Sequence, residues 1–445
     1  MKRILMGLVG LVATVVVLYS IAMQFPQLSD KARVEASFAA AHSRNQSLEE
    51  QATKPEVNGY LSPTFLPYWG RKGMEYEPDS ETERVVEQWK KFSSQAMEKK
   101  IDHIDLLTRK DPSYLEARGQ FEALVPELLE ALEKPVYFPP NSPLLSQTLL
   151  PNMNANRSCA QALCALAESK VAQGKSDEAV EMIARTILAG ERLSGSGFLL
   201  VEMFGVVMQA IGADAFLGLI DPEKLELTPE LWQSLTEELV ESVPSKDILV
   251  QSFEAEMTSW HDTFQKGIDN EFFKINKLTD LPGYLQREQR IYLNAMCDMQ
   301  KQAESQSSLV LPSYLTRPGL WDWISGRTGH VAQMLIPNYD RAGGQLAVNR
   351  ARTAGLATIL GVLNYRAKQG GLPETLDDLA SVGIPMVEDP DFKKSLTYQK
   401  EGDRATLKIV LQTSPTIDWS LSNYWSHPWC EADREAILYS FGPRS

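Results

Sequence analysis

The chain has 445 residues, of which 43% are hydrophobic and 23% charged, a balance typical of folded proteins with two or three packed units. Its 44 basic and 58 acidic side chains give a net charge of −14, which opposes binding to nucleic acid through bulk electrostatics. We therefore expect no nucleic-acid partner.

The first predicted element is a membrane anchor over residues 1–25. Residues 4–23 contain no charged side chain and follow a basic pair. Twenty helical residues rise about 30 Å, enough to cross the hydrocarbon core, and basic residues ahead of a span favour a cytoplasmic N-terminus. The pattern predicts a single-pass protein of the inner (cytoplasmic) membrane with a periplasmic body. A cleaved signal is the alternative, because Ser20 and Ala22 are small, although the apolar run exceeds the usual length of about 7 to 15 residues.

Residues 26–80 are polar, rich in Ser and interrupted by Pro55, Pro63 and Pro67, a composition typical of a spacer.

From 81 to 340, apolar residues recur at three- or four-residue intervals, which predicts a helical bundle. The predicted helices are 83–107, 114–133, 158–173, 176–193, 198–220, 229–240, 246–264 and 285–305. In the second of these, Pro126 predicts a kink or a restart of the helix.

Residues 158–193 show the clearest helical pattern outside the anchor. Gly174 and Lys175 separate two predicted helices, and Ser176 is a predicted N-cap. The phrase AESKVAQGKSDEAVEMIARTI resembles one tetratricopeptide-type helical hairpin. No second copy occurs at the required period, so the sequence does not predict a peptide-binding solenoid.

The predicted helix at 198–220 is long and apolar enough to cross a membrane. It contains Glu202 and Asp214, and a carboxylate near the bilayer centre costs about 2.5 to 3.5 kcal/mol on insertion scales. We therefore expect a buried helix of the bundle. The alternative is a second span, which would return the following chain to the cytoplasm.

The candidate interaction surface consists of two aromatic segments. One lies within residues 315–343 and the other within the loop at 413–434. Exposed tryptophans often contact binding partners, whereas buried ones fill the ends of bundles and the space beneath small sheets. Both interpretations stay open here. The residues of this candidate surface are Trp321, Trp323, Arg327, His330, Trp419, Trp425 and Trp429.

Residues 341–445 predict a small α+β module. A helix at 345–367 is followed by a glycine turn, a short helix after Pro373 and a hairpin that turns at 401–403. The segment AILYSFG predicts a third strand.

The module's sequence, from LATILGVLNYRAKQGGLPETLDDLASVGIP through EDPDFKKSLTYQKEGDRATLKIV to ILYSFGP, resembles a C-terminal module of bacterial envelope proteins. It is also similar to the C-terminal half of type II secretion major pseudopilins. With the anchor and the hairpin, the order of parts resembles an uncharacterised family of membrane-anchored helical envelope proteins, and the resemblance implies no particular activity. The chain departs from the pseudopilin pattern because it lacks a G-F-T-x-x-E processing site and an Asp-Gly-rich calcium loop. Glu388, Asp389 and Asp391 could offer oxygen ligands to calcium, or form a solvated turn.

The sequence contains no recognised catalytic motif. It has neither a G-x-S-x-G elbow nor a G-x-x-x-x-G-K-[ST] loop nor an H-E-x-x-H helix. The four cysteines form no C-x-x-C pair and the five histidines are scattered, which disfavours zinc; disulfide pairing stays open. We therefore expect no metal or cofactor and assign no catalytic residue.

The predicted fold is mainly α: a bundle of helical hairpins, a small C-terminal α+β module with a short antiparallel sheet, and one N-terminal transmembrane helix. The predicted role is a membrane-tethered scaffold or protein-interaction protein, with envelope proteins as partners. Two alternatives remain. The first is an envelope hydrolase whose carboxylates converge only in the fold, and the second is a pilin-like structural subunit.

Overall fold

The computed structural model describes residues 28, 30–52, 54, 81–97, 103–134, 153–194, 199–219, 227–245, 247–265, 284–305, 330–387, 396–410, 426–427, 430–432 and 436–441. The helices within these residues are α1 (Lys31–Ala52), α2 (Glu81–Met97), α3 (His103–Arg109), α4 (Pro112–Glu133), α5 (Met153–Ala172), α6 (Ser176–Ser194), α7 (Leu199–Leu219), α8 (Pro229–Glu241), α9 (Asp247–Gln265), α10 (Tyr284–Ser305), α11 (His330–Gln369) and α12 (Asp377–Ser381). The strands are β1 (Leu396–Glu401), β2 (Arg404–Val410), β3 (Ser426–His427), β4 (Cys430–Ala432) and β5 (Ala436–Phe441).

These elements confirm the predicted mainly helical bundle with a small antiparallel sheet. The predicted anchor over residues 4–23 lies outside the described residues. Where one helix was predicted over 83–107, the structure has α2 and α3. The proline expected to kink or restart the next helix, Pro126, lies within a continuous α4.

Helix α1 occupies part of the predicted spacer. Between residues 31 and 52 the chain is helical and packs on α9 and α10, whereas composition had indicated a linker. The sequence signal is weak because the buried stripe of α1 is narrow, consisting of Val34, Ser37 and Ala41.

The predicted helical hairpin is present as α5 and α6. The first helix ends at a Schellman-type turn, in which the N–H of Lys175 donates to the carbonyl of Lys170 and that of Gly174 donates to Val171. Gly174 has a φ of +76°, which favours glycine. The kinship of this hairpin with tetratricopeptide repeats stays a prediction.

Two hydrophobic cores lie within the described residues. The larger core is built around Trp89, Tyr114 and Phe121, which are fully buried. The indole of Trp89 lies 5.4 Å from the ring of Tyr114 and donates a 3.0 Å hydrogen bond to the carbonyl of Ala162. The second core contains Phe253 of α9 and Tyr292 of α10 and is partly covered by α1.

The sheet has the order β1-β2-β5-β4-β3 and is antiparallel at every pairing. The predicted hairpin is confirmed, because Glu401 pairs with Arg404 across a two-residue turn in which Gly402 has a φ of +63°. The predicted third strand corresponds to β5, which pairs with β2. Ile409 of β2 packs on the long helix α11. This contact attaches the sheet to the bundle.

Candidate functional site

The structure does not describe the side chains of the candidate interaction surface. Trp321, Trp323 and Arg327 lie outside the described residues, and His330 is the first residue of α11. The tryptophans at 419, 425 and 429 and the acidic residues Glu388, Asp389 and Asp391 also lie outside them. An interaction or calcium role for these residues stays a prediction.

The described helices bring together a different polar group, centred on Asp214 of α7. Nη1 of Arg352, on α11, lies 3.5 Å from Oδ1 of Asp214. On α5, the thiol of Cys164 donates a 3.9 Å hydrogen bond to the carbonyl of Ile211 on α7. Burial raises the pKa of this thiol, and the charge of Asp214 adds to the rise. Three helices therefore contribute a carboxyl, a guanidinium and a thiol to this polar group, and 27% of the Asp214 side chain is exposed.

Burial sets the protonation of this group. It raises the pKa of Asp214 to about 7, and Arg352 offsets only part of that rise. Burial also raises the pKa of the Cys164 thiol, and the neighbouring Asp214 and Glu168 add to the effect. The carboxyl therefore exchanges a proton near neutral pH, whereas the thiol stays protonated and is a poor nucleophile.

A buried chain of hydrogen bonds joins the same two helices, α7 and α11. The amide of Asn349 donates to Oε1 of Gln209, and the Gln209 amide donates to the carbonyl of Ser242 at 3.4 Å. All three residues are buried. Since Asn349 and Arg352 are both on α11, while Gln209 and Asp214 are both on α7, polar contacts fix the register of these two helices.

A second charged group lies at the junction of α1 with the body. Arg44 of α1 contacts Glu254 of α9 at 2.6 Å and also donates a 3.2 Å hydrogen bond to the carbonyl of Gln251. Burial raises the pKa of Glu254, and the guanidinium of Arg44 counteracts this rise. The sequence had no signal for either polar group, because the paired residues are far apart in the chain.

The described residues offer no cluster of three or more His, Cys, Asp or Glu side chains that could hold a metal ion. Cys159, Cys164 and Cys297 are free thiols. The polar groups that the described helices bring together are thus the contact of Asp214 with Arg352 and the charged contacts of α1.

One segment among the described helices is long and apolar enough to cross a membrane, Val201–Gly218 in α7. In the bundle 56% of it is buried. Gly190 of α6 approaches it so closely that an added Cβ would lie 2.5 Å from the Gly205 carbonyl oxygen. This packing agrees with the expected buried helix of the bundle. That the segment does not cross a membrane stays a prediction.

Comparisons of the chain with protein-family models, curated proteins and solved structures each returned no match. The resemblance to membrane-anchored envelope proteins and to pseudopilins therefore stays a prediction from the sequence.

Proposed function

We propose that the protein is a membrane-tethered, extracytoplasmic helical scaffold that presents its folded body to other envelope proteins. The observation that carries the proposal is the short stretch between the predicted span and the first docked helix. The uncharged run ends at Met23 and α1 begins at Lys31. The seven residues between them reach at most about 25 Å, so an anchor at that position holds the body beside the bilayer.

The start of α1 supports a scaffold over a pilin-like subunit. Oδ1 of Asp30 accepts a 3.1 Å hydrogen bond from the backbone N–H of Arg33, which is N-cap geometry, and Leu28 and Asp30 lie outside any helix. A pilin-like subunit requires one helix that continues from the span into the head. An N-cap at Asp30 marks the beginning of a separate helix.

The described surroundings of Asp214 do not supply the carboxyl pair that the hydrolase alternative needs. A glycosidase-type mechanism pairs two carboxyl groups, whereas the Asp214 carboxyl lies 3.5 Å from the guanidinium of Arg352.

Reporter fusions test the topology. A reporter enzyme that is active only outside the cytoplasm, fused after Ser445, should be active in intact cells. Reporters inserted in the segments at 195–198 and 220–226, which flank α7, should be active too, because a core helix leaves both of its ends on the same side of the membrane. An inactive C-terminal reporter, with a cytoplasm-active reporter working at the same position, would refute the proposal.

Crosslinking tests the scaffold role. Membranes treated with a crosslinker should yield specific envelope proteins bound to the full chain. The matched control replaces residues 4–23 with a cleavable signal, so that the same body is exported without a tether. Recovery of no specific partner from the full chain, despite its correct location, would refute the scaffold role and leave the tether intact.

A further inference from the structure

Helix α1 is fastened to the bundle differently from the other long helices. Of its described side chains, those of Val34, Ser37 and Ala41 are buried and the rest are half-buried or exposed. By contrast, more than half of the 19 residues of α6 are buried. Local opening is easiest where few apolar contacts are made, so α1 should detach at a lower cost than α6.

Charged contacts hold the N-terminal end of α1. Arg33 lies 2.6 Å from Glu304, and Lys301 lies 3.0 Å from Asp30. Both partners from the body are on the last turn and a half of α10. The hydrogen bond from Lys301 and the backbone N–H of Arg33 lower the pKa of Asp30, so this carboxyl stays ionised at neutral pH.

A second charged contact holds the other half of the helix. The guanidinium of Arg44 contacts Glu254 at 2.6 Å, with only 20% and 16% of the two side chains exposed. Between the two ends, the hydroxyl of Ser37 donates to Gln300 at 3.4 Å, and the ring of Phe38 lies 4.7 Å from that of His261. The helix is thus held by ion pairs at two positions, with a thin apolar contact between them.

We infer that α1 is a releasable clasp, which detaches from α9 and α10 as a unit while the rest of the bundle stays folded. The inference rests on the proposed tether. In the docked state the body is held within a few residues of the membrane. In the released state, the first described point of attachment to the bundle becomes α2, which begins at Glu81, so the same anchor allows a longer reach.

Hydrogen exchange on the full chain in detergent tests this inference. Amide protons of α1 should exchange at least about 100-fold faster than those of α6, because they open without global unfolding. Arg44→Glu should speed the exchange of α1 by a further tenfold or more, in line with the loss of a hydrogen bond to a charged group, and should leave α6 unchanged. Glu254→Arg in the same chain should restore most of the protection.

Lys31→Glu is the matched control, since it makes the same change of charge on α1. Lys31 pairs with Glu35 of the same helix, and both side chains are exposed, so exchange should change less than about twofold. Exchange of α1 in step with α6, or an equal effect of the control and Arg44→Glu, would refute the clasp. Neither result would affect the tether, which the reporter fusions test separately.

Discussion

Ile409 of β2 lies directly over Gly355 of α11, so that an added Cβ at position 355 would lie 2.1 Å from Cδ1 of Ile409. Both residues are buried. The absence of a side chain at this turn of the helix therefore creates the space in which the sheet is seated.

Replacing Gly355 with Ala should destabilise the protein by about 1 to 3 kcal/mol, the usual cost of overpacking a core. The free energy of unfolding, measured by urea titration of the full chain in detergent, checks this value. Adding Ile409→Val, which removes the clashing Cδ1, should recover part of the loss. An unchanged loss in the double variant would contradict the contact.

At the contact between α6 and α7, replacing glycine with alanine should destabilise the protein more than it does at Gly355. At Gly190 an added Cβ would meet the carbonyl oxygen of Gly205 at 2.5 Å and the backbone nitrogen of Gln209 at 2.8 Å. Because backbone atoms cannot rotate aside, Gly190→Ala should cost more than about 3 kcal/mol, measured by the same titration.

Gly119→Ala is the control for both glycine substitutions. Nothing lies within 4 Å of an added Cβ at this position of α4, and alanine favours a helix over glycine by up to about 1 kcal/mol. This variant should be more stable than the parent. A loss at Gly119 as large as that at Gly190 would mean that close packing does not explain the effect.

The ion pairs of Lys170 should contribute more to the free energy of unfolding than a surface ion pair does. Lys170 is buried and contacts both Glu122 and Glu178, whereas Lys175 contacts Glu178 from an exposed position. Lys170→Ala should therefore cost about 1 to 3 kcal/mol, against less than about 0.5 kcal/mol for Lys175→Ala. Equal losses in thermal or urea unfolding would contradict this difference.

Asp214 should make stability depend on pH. Its pKa in the folded protein is about 7, above the value of about 3.9 for an unfolded chain, so the folded state binds the proton more tightly. The resulting stabilisation is present below about pH 4 and is lost as the pH rises towards 7. With 27% of the side chain exposed, we expect a loss of about 2 kcal/mol.

Asp214→Asn is the test of this dependence, because the amide is neutral throughout the range. The variant should lose less stability than the parent between pH 4 and pH 7, as measured by urea titration at each pH. Identical slopes for the two proteins would show that the carboxyl ionises freely in the folded state.

Periodicity predicted most helices of the body because their apolar faces are wide. The predicted helix at 229–240 corresponds to Pro229–Glu241, and that at 285–305 to Tyr284–Ser305. The turn at Gly402 was predictable because its sequence requires a tight hairpin. In each case, residues close together in the chain were sufficient to predict the element.

Contacts between residues distant in the chain were not predictable in this way. The sequence pattern does not predict helix α1, because ion pairs attach this helix to the bundle. Arg44 is 210 positions from its partner Glu254. The pairing of Asp214 with Arg352 likewise leaves no local pattern. In the sequence Asp214 is distinctive only as a cost of membrane insertion, and its partner Arg352 is evident only in the fold.

The long helix α11 contributes to both cores, with Leu346 in the second and Leu360 in the larger one. Its forty residues rise about 60 Å, and Ile409 seats the sheet on the same helix. One helix therefore joins the two cores and the C-terminal sheet into a single packed body.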